Sequence, residues 1–451
     1  MDLNNKRVLV VGLGKSGVAS ALFLKAHGAR VTVSDSKPPD ELQEAIPTLL
    51  DAGITVETGG HGERTFQGQD LIVVSPGVPV DAPQLVQARA LGEKVIGEIE
   101  LAAVFFPGEI VAITGSNGKT TTTTLAGEIL AAGGLSTVVG GNIGTPAISL
   151  VERASAETTA VLEVSSFQLE TIQTFRPRIA VVLNVTPDHL DRHRTFAAYT
   201  DAKARIFENQ RSEDFAVLNA DDPTCVAMAT RTKAGVFWFS RKKEVKQGAY
   251  VHDGQIRFRD AKGQREIMLL SEIPLKGAHN VENVLAAVCA GALSGVDPAN
   301  IHKAVAGFKA VEHRLEYVAT VRGVEYYNDS KATNVDATIK ALESFPANIH
   351  LILGGKDKGS DYSVLNDLLR QRVKRVYTIG AAAAKIESQI KAEIVHAETL
   401  ENAIKRASEA AQPGDIVLLA PACASFDQFR SYEHRGKVFK EAVKALAAEK
   451  A

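Results

Sequence analysis

The stretch Ile113-Thr114-Gly115-Ser116-Asn117-Gly118-Lys119-Thr120-Thr121 decides the fold, because it joins a strand pattern to a helix pattern. The apolar run 109–113 leads into it, and a helical pattern over 122–132 follows. A glycine turn in this position that ends in Lys-Thr is typical of a phosphate-binding loop, since its backbone N–H groups and the helix N-terminus both attract anions. The stretch therefore predicts a site for ATP or GTP.

One position of this loop departs from the general pattern G-x-x-x-x-G-K-[ST], because Ile113 stands where that pattern has glycine. An ordinary glycine turn that caps a helix is the alternative interpretation. We favour nucleotide binding because the strand, the Lys-Thr pair and the helix occur together. Lys119 would then contact the β- and γ-phosphates, and the Thr120 hydroxyl would bind a divalent metal.

A second glycine turn, Gly12-Leu13-Gly14-Lys15-Ser16-Gly17, also follows a strand pattern and opens a helix pattern. Asp35 ends the next strand pattern, at the spacing of a ribose-binding acid in a dinucleotide fold. Alone, this motif predicts NAD and another nucleotide ligand equally, with a purely structural turn as a third option. The loop at Gly115 favours a nucleotide-linked substrate, because hydride transfer needs no ATP.

Strand-like runs alternate with helical patterns almost throughout, which is typical of parallel α/β sheets. At roughly 150 residues per domain, the length suggests about three domains. We predict a Rossmann-like domain at 1–98, a central domain of the phosphate-loop ATPase type at 99–310 and a C-terminal Rossmann-like domain at 311–451. The strands on which this division depends are 8–11, 30–34, 71–74, 109–113, 160–164, 179–185, 317–321, 325–328, 350–353, 375–379 and 416–420.

Composition narrows the class of protein. The chain has 451 residues, 45% of them hydrophobic and 23% charged, with a net charge of −2, which is typical of a soluble globular protein and gives no field that attracts nucleic acid or membrane. No apolar run is long enough to cross a bilayer, and the first residues do not resemble a signal peptide. Cys225, Cys289 and Cys423 are few and widely spaced, so we expect reduced thiols and a cytoplasmic protein.

Several residues could carry chemistry near the phosphate loop. Glu163 ends an apolar strand pattern, where an acid that binds the magnesium of a nucleotide is expected, although a solvated glutamate is the alternative. The segment 188–193 has two Asp and two His, for which a metal role and simple surface hydrogen bonding are equally supported. Lys203 lies in a helical stretch, where a lysine is ordinarily solvated. Cys423 has small apolar neighbours, which favour a packed thiol over a nucleophile.

Four motifs together resemble the Mur ligases, the ATP-dependent amide ligases of bacterial cell-wall synthesis. They are the loop at 115–120, Glu163-Val164-Ser165-Ser166-Phe167-Gln168-Leu169-Glu170, Asn184-Val185-Thr186-Pro187-Asp188-His189-Leu190-Asp191 and Tyr327-Asn328-Asp329-Ser330-Lys331-Ala332-Thr333-Asn334. The resemblance covers essentially the whole chain, and the shortened loop is the normal form in that family. It implies two substrates, UDP-N-acetylmuramoyl-L-alanine and D-glutamate, and a monomeric enzyme with neither a nucleic-acid partner nor a membrane span.

The resemblance also implies roles for individual residues. The first domain would hold the UDP-linked substrate rather than NAD, with further contacts from the central domain, through Lys15, Ser16, Asp35, Ser36, Lys37, Ser75, Gly77, Asn142 and His189. ATP would contact Gly115, Ser116, Asn117, Gly118, Lys119, Thr120, Thr121, Asn280, Asn283, Arg314, Asp329 and Lys331, with His313 nearby. Two magnesium ions would be held by Thr120, Glu163, His189 and Lys203, the last as a carbamate. Lys119, Glu163, His189 and Lys203 would be the catalytic group.

D-glutamate would contact Thr333, Lys358, Ser425 and Tyr432 by the same resemblance. Tyr432 stands where the family pattern leads us to expect phenylalanine. The loop Gly354-Gly355-Lys356-Asp357-Lys358-Gly359 has two lysines, and the sequence leaves open which one holds the substrate carboxylate.

The resemblance implies that ATP converts a substrate carboxylate to an acyl phosphate, which the amine of D-glutamate attacks. Closing three domains over the reactants would give open and closed states. An NAD-dependent oxidoreductase is the rival enzyme class, but it leaves the loop at Gly115 unused. A non-catalytic nucleotide switch would leave Glu163, His189 and the third-domain pair Asp329 and Lys331 without a purpose. Related ligases that add another amino acid or act on folate are the rivals within the class.

Overall fold

The computed structural model describes residues 1–309 and 311–448. Three sheets follow one another along the chain, each flanked by helices. The predicted α/β class is confirmed. Among the described residues, no helix has the length and apolar character needed to cross a bilayer.

The first sheet has the strand order β3-β2-β1-β4-β5, with every pair of neighbours parallel. Its interior strands are almost continuously apolar and buried, as expected for a sheet covered on both faces. The elements are β1 (Arg7–Val11), α1 (Lys15–Ala26), β2 (Arg30–Ser34), α2 (Ala45–Asp51), β3 (Thr55–Glu57), β4 (Leu71–Val74), α3 (Pro83–Ala90), β5 (Val95–Gly97) and α4 (Glu98–Phe105), with short 3-10 helices at Pro39–Glu41 and Glu63–Phe66.

The second sheet has the order β14-β13-β12-β11-β10-β9-β6-β8-β7. Its elements are β6 (Glu109–Thr114), α5 (Lys119–Ala132), β7 (Thr137–Gly141), α6 (Ile148–Val151), β8 (Thr159–Glu163), α7 (Ser166–Leu169), β9 (Ile179–Val182), α8 (Leu190–His193), α9 (Phe196–Ala204), β10 (Phe215–Asn219), α10 (Pro223–Met228), β11 (Gly235–Ser240), β12 (Gly248–His252), β13 (Gln255–Asp260), β14 (Gly263–Leu269), α11 (Ala278–Leu293) and α12 (Pro298–Gly307), with 3-10 helices at Arg205–Phe207, Ala229–Arg231 and Leu270–Glu272.

The third sheet has the order β15-β16-β20-β17-β18-β19. Its elements are β15 (Glu316–Val321), β16 (Val324–Asn328), α13 (Val335–Glu343), β17 (Ile349–Gly354), α14 (Asn366–Arg372), β18 (Val373–Ile379), α15 (Ala383–Gln389), β19 (Ile394–Glu398), α16 (Leu400–Ala410), β20 (Ile416–Leu419) and α17 (Tyr432–Ala448), with a 3-10 helix at Ser363–Leu365.

The strand–helix alternation predicted parallel sheets, but the second and third sheets are mixed. β12, β13 and β14 pair antiparallel at one edge of the second sheet, and β15 pairs antiparallel with β16 in the third. Asp253 and Gly254 explain the first hairpin, because both have positive φ (49° and 73°), the conformation of a two-residue hairpin turn. The antiparallel strands lie at sheet edges, so the central strands remain parallel.

The strand predicted over 179–185 ends at Val182. Beyond it the chain leaves the ladder to support the phosphate loop, because Ser116 donates its N–H to the Asn184 carbonyl and Asn117 donates its N–H to the Asn184 side chain, each at 2.9 Å. Leu183 and Val185 continue the apolar pattern on either side of Asn184, so periodicity alone could not locate this end.

Gly17 lets α1 pack directly on the first glycine turn. A Cβ at Gly17 would collide with the carbonyl of Gly12 and approach the Ser75 hydroxyl to 2.8 Å. Both neighbours are fixed, because Ser75 donates to that same carbonyl at 2.8 Å.

We therefore expect Gly17→Ala to destabilise the first domain by about 1–3 kcal/mol, the usual cost of overpacking, and to lower the first thermal transition in calorimetry. Gly14→Ala is the matched control, since Gly14 has a negative φ and open space around its Cβ position. Equal transition temperatures for the two variants would contradict this packing.

Candidate active site

The phosphate loop lies between β6 and α5 at the carboxyl edge of the second sheet, as predicted. The Lys119 amine donates to the carbonyls of Gly115 and Ser116, each at 2.9 Å. Burial lowers the pKa of Lys119, while Glu163 and Asp188 oppose that shift. The loop therefore presents a half-buried cation beside the N-terminus of a long helix, which suits a triphosphate.

A cavity of about 480 Å³ extends from this loop between the second and third sheets. Among the predicted ATP residues it is lined by Asn117, Gly118, Asn283, Arg314 and Asp329. Asn280 does not line it, because its side chain donates to the Lys276 carbonyl and accepts a hydrogen bond from Asn283. Burial raises the pKa of Asp329 to about 6, although Arg314 opposes the shift.

Glu163 lies at the end of β8 and is 2% exposed. One carboxylate oxygen accepts a hydrogen bond from Thr120 at 2.7 Å, and the other accepts one from the Asn142 amide at 2.9 Å. Burial opposes ionisation of Glu163, but Lys331 and Lys119 outweigh it and hold the pKa below its usual range. The buried Glu163 carboxylate therefore lies beside the Thr120 hydroxyl. Both groups offer the hard oxygen ligands that magnesium prefers.

His189 and Lys203 flank this cluster. Burial lowers the pKa of His189 to about 4, so its imidazole is neutral at physiological pH and has a free electron pair for a metal. Lys203 is 1% exposed, and its amine donates to the Gly115 carbonyl at 2.8 Å. The expectation from the sequence that Lys203 is a solvated lysine is therefore wrong. Burial lowers its pKa well below the usual value.

A cavity of about 390 Å³ lies at the carboxyl edge of the first sheet. Asp35 fixes its floor, because its carboxylate oxygens accept N–H groups from Leu13 at 2.6 Å and Lys37 at 2.9 Å. The predicted UDP residues that line this cavity are Lys15, Ser16, Asp35, Ser36, Lys37, Ser75 and Gly77. Asn142 and His189 lie outside it.

A third cavity, of about 370 Å³ and called here the central cavity, is lined by residues from all three sheet regions. It shares Lys15 and Ser16 with the cavity of about 390 Å³ at the first sheet, and Arg314 with the cavity of about 480 Å³ that extends from the phosphate loop. These two are called here the nucleotide cavities. Its other walls include Lys119, Thr120, Asn142, Glu163, Lys331 and Tyr432. The sites predicted for two nucleotides and for the metal ions therefore meet in one polar space.

Three loops at the carboxyl edge of the third sheet carry Thr333, Lys358 and Ser425, three of the four residues predicted for D-glutamate. Backbone bonds join them, because Ala422 donates to the Ala332 carbonyl and Lys356 and Ala424 exchange bonds. Tyr432, at the start of α17, accepts a hydrogen bond from Lys331 at 3.2 Å. Thr333 and Ser425 lie on two of these loops.

The two lysines of the loop 354–359, Lys356 and Lys358, have different surroundings. Lys356 is exposed, whereas Lys358 is half-buried and its amine lies 3.3 Å from the Asp188 carboxylate of the central domain. The structure therefore places Lys358, not Lys356, toward the other predicted site residues.

Sequence reasoning missed the polar residues that join the second and third domains. Asp336 accepts a hydrogen bond from Asn117 of the phosphate loop at 2.6 Å, and Asn334 donates to Asp188 at 2.9 Å. Asp336 lies in the first turn of α13, where an acid is common for local reasons, so its sequence position gave no signal.

Cys423 is buried, with its thiol 3.0 Å from the Tyr362 hydroxyl. Burial raises its pKa to about 11, which favours the packed thiol over a nucleophile. Cys225 and Cys289 are likewise free and buried.

Comparison with known families gives matches over most of the chain. The Mur ligase MurD-like N-terminal domain matches residues 6–97, the Mur ligase middle domain matches 113–291, and the Mur ligase glutamate ligase domain matches 313–423. A UDP-N-acetylmuramoylalanine–D-glutamate ligase of Koribacter versatilis is 69% identical, over 100% of this chain and 99% of that protein. A protein of the same name from Acidobacterium capsulatum is 59% identical, over 99% and 97%.

Solved structures share the architecture at low sequence identity. A pseudomurein peptide ligase type C from Methanothermus fervidus superposes with a TM-score of 0.63 at 20% identity, over 98% of this chain and 100% of that one. The MurF ligase from Thermotoga maritima, in complex with ADP, also gives 0.63 at 18% identity, over the full length of both chains. With 69% identity along its whole length and three matching domain models, the chain belongs to the Mur ligase family.

Proposed function

We propose that this protein is an ATP-dependent amide ligase that adds D-glutamate to UDP-N-acetylmuramoyl-L-alanine and releases ADP and phosphate, a step of peptidoglycan precursor synthesis. The observation that carries the proposal is the central cavity, which shares lining residues with both nucleotide cavities. The names of the relatives that are 69% and 59% identical specify the same two substrates. We divide the tasks among domains at 1–98, 99–310 and 311–451.

The reaction must overcome the poor electrophilicity of a carboxylate. An oxygen of the substrate carboxylate attacks the γ-phosphorus of ATP, the bond to the β–γ bridging oxygen breaks, and ADP leaves. The amine of D-glutamate then attacks the acyl phosphate, and the tetrahedral intermediate expels phosphate while the nitrogen loses a proton. Because the substrate supplies the nucleophile in both steps, the protein needs to supply only position and charge.

Cations from two domains provide that charge. Lys119 lies at the phosphate loop, and Arg314 and Lys331 reach the central cavity from the third domain. Burial lowers the pKa of Lys331 to about 8, with Glu163 opposing the shift, so this amine is mostly protonated at neutral pH. These groups suit the charge on a transferring phosphoryl group and on the tetrahedral oxygen.

The ligand set around Glu163 fits two magnesium ions. Thr120 and Glu163 supply oxygens, and the neutral imidazole of His189 supplies a nitrogen. When bound, magnesium would neutralise charge on the phosphates of ATP and on the acyl phosphate.

Lys203 fits a carbamate. Its amine is fully buried, and burial favours the neutral form, which is the form that reacts with CO₂. The product would be an anion beside the phosphate loop that can bind magnesium, which an ammonium cannot do.

D-glutamate is the amino acid that the third domain supports best. Thr333, Lys358 and Ser425 lie on neighbouring loops and Tyr432 starts α17; together they combine one cation with three hydroxyls, a set that suits an amino acid with a second carboxylate. The family role supports a cytoplasmic location, and we propose that the enzyme acts as a monomer.

The function is tested by ADP release from the purified protein with ATP, magnesium and UDP-N-acetylmuramoyl-L-alanine, assayed against a panel of amino acids. We expect sustained ADP and phosphate release with D-glutamate and at least 100-fold less with L-alanine, L-lysine or L-glutamate, because an unpaired buried charge or wrong stereochemistry weakens binding. Equal turnover with another amino acid, or turnover that needs NAD, would refute the proposal.

Lys203→Arg is expected to lower kcat by at least 100-fold, because arginine keeps the positive charge and cannot form a carbamate. Lys203→Ala, which leaves a cavity, should regain part of the activity with added short carboxylic acids, whereas Lys203→Arg should not. Full activity of Lys203→Arg, or a native mass and ¹³CO₂ NMR spectrum that show only free lysine in active protein, would contradict the carbamate.

A further inference from the structure

Glu98 is a buried acid at the junction of the first and second domains. It is the first residue of α4, directly after β5, and is 1% exposed. Its Oε1 accepts the Ile148 N–H at 2.8 Å. Its Oε2 is buried without a hydrogen-bond partner among the described residues.

The donors around Glu98 belong to segments that line the central cavity. Ile148 starts α6 and is separated from the loop 141–146 only by Ala147, and this loop places Asn142 beside Glu163. The Gln168 amide, whose Nε2 also lacks a partner among the described residues, favours ionised Glu98. Gln168 itself lines the central cavity.

Within residues 1–309 and 311–448, the groups that act on Glu98 are hydrogen-bond donors, and no cation compensates its charge. Burial raises the pKa of Glu98 to about 7, while the N–H groups of Ile148 and Ala147 and the Gln168 amide act against that shift. An apolar side chain at this place would leave the buried Ile148 N–H without its acceptor, so the position needs the carboxylate oxygens of Glu98.

We propose that Glu98 is a positioning residue that fixes the loop 141–146, and through it Asn142, against the UDP-linked substrate. This inference rests on the proposed function, since that substrate must present its carboxylate in the central cavity. Glu98 also follows directly on the first-domain sheet, so it couples the domain that would hold the UDP group to the loop that would hold the reacting end.

The chain offers a matched control on the same helix. Glu100 is also 1% exposed, and its carboxylate accepts the N–H groups of Gln173, Thr174 and Phe175 and the hydroxyl of Thr174. The loop 173–175 does not line the central cavity. Loss of Glu100 should therefore lower stability without a specific effect on substrate binding.

The test compares Glu98→Ala, Glu98→Gln and Glu100→Ala in the full-length enzyme by steady-state kinetics. For Glu98→Ala we expect KM for the UDP-linked substrate to rise about tenfold, the scale of one lost hydrogen bond to a charged group, with KM for ATP within about twofold. Glu98→Gln should be partly rescued, with a rise of about threefold, because an amide oxygen can still accept the Ile148 N–H. Glu100→Ala should lower the melting temperature and leave both KM values within about twofold.

Hydrogen exchange of the free enzymes provides a readout independent of activity. Peptides that cover 141–150 should exchange faster in the Glu98 variants, and those that cover 170–176 faster in Glu100→Ala. If Glu98→Ala does not fold, Glu98→Gln carries the test. Its side-chain NH₂ replaces one acceptor oxygen of Glu98 and must therefore point at one of the surrounding donors. Unchanged KM and unchanged exchange in the Glu98 variants would overturn the proposal, whereas a wild-type enzyme without D-glutamate-dependent ADP release would instead overturn the proposed function.

Discussion

The charge of Glu163 is the constraint on which the site depends. Its carboxylate is buried, and it stays ionised because Lys119 of the central domain and Lys331 of the third domain lie near it. It also holds Thr120 at the phosphate loop and Asn142 at the neighbouring loop. Removal of Lys119 or Lys331 would leave the buried charge of Glu163 less compensated, which is far more costly than the loss of a surface contact.

The fold brings these partners together because its parallel strands end at the same sheet edge. β6, β8 and β9 are neighbours in the second sheet, so the phosphate loop, Glu163 and the segment with Asn184 emerge side by side. The first and third sheets contribute their own carboxyl edges, where the first glycine turn and the Lys331 loop lie. Ligands of α/β proteins ordinarily bind at the carboxyl edges of the strands, and here the carboxyl edges of three sheets face the central cavity.

Much of this arrangement could be predicted from the chain, because the strands are strongly apolar and the two glycine turns have definite positions. Residue patterns alone selected Lys119, Thr120 and Glu163. They could not select Lys203, since a helical lysine has no local signal of its burial, and only the resemblance named it. Nor could they choose between Lys356 and Lys358 or find the Asp336 contact, because these depend on how separate domains pack.

The central claim is that the γ-phosphoryl group of ATP passes to the carboxylate of the UDP-linked substrate. The most direct measurement uses UDP-N-acetylmuramoyl-L-alanine labelled with ¹⁸O in both carboxylate oxygens, followed by mass spectrometry of the phosphate released with ATP and D-glutamate. The mechanism predicts one ¹⁸O atom in each phosphate, because the bridging oxygen of the acyl phosphate leaves with phosphorus. Phosphate that carries no ¹⁸O while the amide forms would contradict it.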